Sequence, residues 1–136
     1  MLLASAGLTG CLPSTSEFED KAALEDAVGM KLPNFSVKKY APGMADFHGD
    51  YEDTLYIEFE TKPSKALIDS INKTIEQSDS VQLSRWRKED EHNYYYRADS
   101  QDGGRVPECR TKQHDWYVVL KLADNSKDAK VIYGYW

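Results

Sequence analysis

The densest set of groups able to hold a cation is Asp46, His48, Asp50, Glu52 and Asp53. In an extended segment alternate side chains share a side, so Asp46, His48, Asp50 and Glu52 would project together. Carboxylates with one imidazole suit a divalent ion. The spacing differs from the calcium-loop pattern and from the zinc signatures, so a solvated polar hairpin turning at Gly49 is the simpler expectation. A second set, Cys109, His114 and Asp115, holds the residue types of a thiol nucleophile, its base and an orienting carboxylate. Catalysis needs these groups within hydrogen-bond reach, which nearness in sequence does not provide, and the stretch reads as a loop before a strand. Gly103-Gly104 lacks the Lys-Ser/Thr of a phosphate loop, and no serine lies in a nucleophile elbow. No catalytic residue and no cofactor is therefore assigned.

The remaining chemistry is aromatic. Tyr94, Tyr95 and Tyr96 stand in a row, and Trp86, Trp116, Trp136, Tyr117, Tyr133 and Tyr135 fall in neighbouring strand-like stretches. In a regular strand Tyr95 faces away from Tyr94 and Tyr96. An exposed aromatic row on a sheet can bind sugar rings or a protein partner, because rigid rings supply contact area at low entropic cost. Tyr94, Tyr96, Tyr133 and Trp136 form the candidate binding surface. The competing expectation is that cross-strand aromatic pairs simply hold the sheet together.

These residues need a scaffold, and hydrophobic periodicity supplies one. Ser16 and Glu19 have capping-box spacing, Phe18, Ala22, Ala23, Ala27 and Val28 offer an apolar face, and Gly29 suits a C-cap, which predicts a helix over 17–28. Phe35–Tyr40 reads as a strand with Phe35 and Val37 on one face and Lys38 and Tyr40 on the other. In Thr54–Thr61, Leu55, Ile57 and Phe59 alternate with Tyr56, Glu58 and Glu60, which means one buried and one wet face. Pro63 suits a first helical position. Leu67, Ile68, Ile71 and Ile75 then make a core stripe on a helix over 64–77. Strands follow at Ser84–Lys88, Tyr94–Arg97, Trp116–Leu122 (Trp116, Val118, Leu120 and Leu122 inward) and Lys130–Trp136, the last two as a hairpin. The order α-β-β-α-β-β-β-β predicts an α+β fold, an antiparallel sheet of about five to six strands with two helices packed on one face.

The chain has 136 residues, enough for one core, and a net charge of −6 with a pI near 5.0. That balance excludes duplex nucleic acid as an expected partner and argues against electrostatic adhesion to anionic lipid. Membrane contact has another source. Leu8-Thr9-Gly10-Cys11 closes an opening run without a charged residue and resembles the lipobox of bacterial lipoproteins. Leu8 lies three residues before the acceptor, Thr9 two, Gly10 one, and Cys11 is the acceptor itself. The resemblance implies cleavage before Cys11, a lipid on its thiol and residence in the cell envelope. Leu12, in place of Asp, resembles outer-membrane sorting in Gram-negative bacteria. Residues 1–10 are then the remnant of a signal peptide, 11–16 a lipidated tether and 17–136 a single α+β domain. Lipidation would leave Cys109 a lone thiol; a Cys11–Cys109 disulfide is the alternative. The expected function is a lipid-anchored binding module with a protein or glycan partner. The alternatives are a small envelope enzyme using Asp46/His48/Asp50/Glu52 or Cys109/His114, and an inhibitor or immunity-type protein.

Overall fold

The computed structural model describes residues 18–43, 51–79, 81–99 and 116–135. Two helices and six strands follow the order α1 (Lys21–Val28), β1 (Phe35–Ala41), β2 (Tyr51–Phe59), α2 (Lys65–Gln77), β3 (Arg85–Lys88), β4 (Asn93–Asp99), β5 (Trp116–Ala123) and β6 (Asp128–Tyr135). The strands form one open antiparallel sheet in the order β1-β2-β6-β5-β4-β3, so the protein is of the α+β class. The last strand enters between β2 and β5, and α2 carries the chain from β2 to β3 at the far edge. Among the described residues no helix is long and apolar enough to cross a membrane.

The helix ends follow from local hydrogen bonding. α1 begins at Lys21 rather than at residue 17, because Asp20 takes the cap: its carboxylate accepts from Ala22 N–H at 3.2 Å. Phe18 lies in a 3₁₀ turn ahead of the helix and is buried against Tyr133, ring centroids 5.8 Å apart. Gly29 ends the helix as expected, at φ 70°, where a residue without a Cβ meets no steric cost. At α2 the cap is Ser64, whose Oγ accepts from Leu67 N–H at 3.1 Å, so Pro63 precedes the cap instead of opening the helix.

Glu25 ties the end of α1 to the following chain. Its carboxylate accepts Leu32 N–H at 2.7 Å and lies 3.2 Å from Lys21 Nζ and 3.8 Å from Lys31 Nζ. The Leu32 hydrogen bond, helped by both lysines, holds the acid below its ordinary value of 4.5. A lowered folded-state value means that ionised Glu25 stabilises the fold above pH 4.5 and loses that contribution as the pH falls through the folded value. Glu25→Gln should therefore cost about 1 kcal/mol at neutral pH, the figure being held down by solvent screening of the lysines. In urea titrations across pH, the gap between Glu25→Gln and wild type should close in acid. A gap independent of pH would show that the carboxylate's charge plays no part.

One face of the sheet makes the core. Cross-strand partners share a face, and the register aligns Leu55, Val131, Leu120, Tyr96 and Trp86 on five consecutive strands. Leu55, Leu120 and Val131 are fully buried and Trp86 nearly so, while Tyr96 is half-buried with its ring 5.5 Å from that of Trp86. Leu24, Ala27 and Val28 of α1 and Ile71 of α2 belong to this same hydrophobic cluster, with Leu67, Ile68 and Ile75 packed against it. The inward positions expected on β2 are thus found, as are Val118, Leu120 and Leu122 on β5, while the Trp116 side chain lies outside what is described. On β1 the expectation fails at Tyr40. A register shift between Val37 and Lys39 places Tyr40 opposite Leu55, on the core side, instead of opposite to Phe35 and Val37. The extra residue of a bulge reverses every side chain beyond it.

Candidate binding face

The outward side of the sheet is built from the residues that alternate with the core positions. One row of them carries charge or a phenol at every position, and the row beside it is Thr54, Ile132, Val119, Arg97 and Arg85. The register lines up Lys39 on β1, Tyr56 on β2, Lys130 on β6, Lys121 on β5, Tyr95 on β4 and Arg87 on β3. The row crosses all six strands. With strands about 4.8 Å apart it spans roughly 24 Å, and the two tyrosines stand about 14 Å apart. Lys39 is on this face because of the bulge.

Each tyrosine ring has cations beside it. The ammonium groups of Lys39 and Lys130 both lie 5.7 Å from the Tyr56 ring centre, and the Arg87 guanidinium lies 5.9 Å from that of Tyr95. A cation over an aromatic face is held by the ring's negative π-surface and keeps its charge available to a ligand. Lys121 Nζ is 3.7 Å from Glu89, an exposed pair of little energetic weight. Among the described residues no carboxylate forms an ion pair with Lys39, Lys130 or Arg87. The four inner residues of the row are partly exposed, with Tyr56, Lys121 and Lys130 along a shallow cleft of about 500 Å³ that runs to the β5–β6 turn.

Acidic groups flank the row. On one side, Glu58 and Asp128 pair across β2 and β6, and Lys38 Nζ lies 3.6 Å and 3.8 Å from them. On the other side, Glu52 accepts the Tyr117 hydroxyl across β6. The intervening residue is Gly134, which presents no side chain between them. Arg97 lies over the Tyr117 ring at 4.8 Å and donates to the buried Asp99 carboxylate at 2.9 Å. Asp99 is held in turn through its backbone N–H, which donates to Ser84 Oγ at 2.9 Å.

The residues singled out by type fall differently. Tyr94 and Tyr133 do not belong to an exposed surface: they are 2% and 1% exposed, because their strand parity matches the inward Leu122 and Val131. Tyr96 is half-buried on that same side. Of the acidic set, Glu52 and Asp53 point to opposite faces, Glu52 outward to Tyr117 and Asp53 inward with no exposure. Asp46, His48, Asp50, Cys11, Cys109, His114, Asp115 and Trp136 lie outside the described residues. Among the described residues no group of three acids, histidines or cysteines is placed to hold a metal. The outward row was missed because its members sit on six separate segments, each showing one cation or tyrosine at a wet position. Lys39 is the exception, since alternation with Phe35 and Val37 would turn it inward, and only the pairing register joins the six.

No protein-family model matches the chain, no curated protein matches it, and no solved structure matches it. The class of protein is therefore set by architecture alone: an α+β domain built on an open six-stranded antiparallel sheet.

Proposed function

We propose that the chain is a lipid-anchored cell-envelope protein whose domain is a binding module, working through the sheet face turned away from its core. In this reading both helices pack on the core face and leave the opposite face to a ligand. The observation that carries it is the continuous row of cations and tyrosines in a chain whose net charge is −6. Clustering basic groups against the overall sign gives a local surface that an anionic ligand can find. The anchor is Cys11, at the end of Leu8-Thr9-Gly10-Cys11, and the short tether from Leu12 to Ser16 keeps the domain near the bilayer. A diacylated cysteine supplies the hydrophobic area needed for stable attachment without a spanning helix.

Expression of wild type and Cys11→Ala in a lipoprotein-processing bacterium with labelled palmitate tests the anchor. Wild type should take up label and sediment with membranes, and Cys11→Ala should do neither. An unlabelled, soluble wild-type product would refute the anchored reading.

A further inference from the structure

We infer that the outward row binds a carboxylated glycan, an oligosaccharide of uronic-acid type, with its length laid across the strands. This rests on the reading of the outward face as the binding surface. The row divides into two like triplets, Lys39–Tyr56–Lys130 and Lys121–Tyr95–Arg87, each a tyrosine between two cations. A sugar ring offers C–H groups that pack against the ring edges left between the cations, and hydroxyls that reach a phenol or an ammonium. A ring carboxylate adds the charge that the flanking lysine or arginine would pair with. The repeat therefore fits a polymer whose rings and charges recur, and roughly 24 Å of row accommodates several of them.

Other anions fit less well. The solvent-accessible carboxylates beside the row, Glu58 and Asp128 beyond one edge and Glu52 farther off beyond the other, work against a backbone carrying a charge at every step. Nucleic-acid binding draws on many neutralised phosphates, and the chain's net charge of −6 opposes it at long range. An acidic peptide adding as a strand would use a sheet edge, where backbone groups are free, and the row lies on the face. Carboxylates spaced along a neutral sugar backbone are what the mixed pattern of cations and phenols selects.

The full-length protein, titrated calorimetrically at low salt, gives the test with four probes: a hexagalacturonate, its methyl ester, polyuridylate and polyglutamate. The hexagalacturonate should bind, its ester about tenfold more weakly or not at all, and affinity for the acid should fall with added salt. Tyr56→Ala and Lys130→Glu should each weaken binding about tenfold. Lys39→Glu, at an exposed edge-strand position, gives a further variant with little effect on folding, and Lys73→Glu, on an exposed position of α2, should change nothing. Unfolding curves confirm which variants are folded. Equal binding of acid and ester, or unaltered binding by the folded row variants, overturns the assignment. Binding of polyuridylate or polyglutamate in place of the uronate overturns the glycan while leaving the face a binding surface. Silence from all four probes overturns both, and palmitate labelling of Cys11 is unaffected by any of these results.

Discussion

Leu120→Ala should lower the unfolding free energy by about 3 kcal/mol, within the range for emptying a fully buried leucine site. Leu120 has no solvent exposure and sits at the middle of β5, between Val131 on β6 and Tyr96 on β4. Its neighbours belong to paired strands on both sides, so they can move little to fill the gap, and the cavity term adds to the lost transfer energy. A domain of this size has about 5–15 kcal/mol to lose, so the variant should still fold but melt roughly 10 °C lower. Val119 is the internal comparison. It is 8% exposed and lies on the other face, opposite Ile132 and Arg97. Val119→Ala should cost about 1 kcal/mol, a smaller side chain removed from a site outside the main core cluster. Chemical denaturation of both variants checks the pair. Equal losses would mean that Val119 is packed as tightly as the core row.

That contrast between adjacent residues was legible in the sequence, because alternation over 116–122 names the inward set without any knowledge of partners. The same holds for Leu55, Ile57 and Phe59, and for the Leu67, Ile68, Ile71 and Ile75 stripe, all of which meet the core. Local patterns carry this much because each depends only on the geometry of its own element. Strand order is a different kind of information. The hairpin of β5 and β6 is local, but nothing along the chain says that β6 also pairs with β2, since that choice is made by packing among segments far apart. The tyrosines show the boundary between the two. Periodicity puts Tyr94 with Tyr96 and Tyr133 with Val131, but a phenol can end a buried row or begin an exposed one. Tyr94 goes inward, its hydroxyl 3.4 Å from Asn72 Nδ2 on α2, because that helix offers a partner for its polar end. The candidate site is non-local throughout: one residue per strand, assembled by register, with one member admitted by a bulge.

The bulge is where stability and the binding row meet, and Asp53→Ala should expose the link. Asp53 is fully buried at the inward side of β2, where its carboxylate accepts the Tyr40 hydroxyl at 2.5 Å and Gly43 N–H at 2.8 Å. Both donors come from chain beyond the register shift, so the bonds pin β1 in the shifted pairing. Alanine would leave a part-buried peptide N–H and a half-exposed phenol to find other partners, a loss of about 2 kcal/mol. Asp53→Asn keeps one acceptor oxygen and should cost less. Tyr40→Phe combined with Asp53→Ala should cost less than the two single losses added, because the pair shares one bond. Gly43→Ala should be at least as damaging as Asp53→Ala. A Cβ there would lie 1.6 Å from the Glu52 carbonyl oxygen, a backbone atom that cannot rotate aside, so the segment would have to withdraw from Asp53. Release of the corner lets β1 return to unshifted pairing, in which Lys38 rather than Lys39 stands opposite Tyr56, one residue out of step. Asp53→Ala should therefore also weaken uronate binding two- to threefold through loss of the Lys39 contact. Amide exchange would show the loosening confined to β1 and its contacts with β2. Unaltered β1 protection in a folded Asp53→Ala protein would break the argument at its first step, because the carboxylate would then not be what holds the bulge.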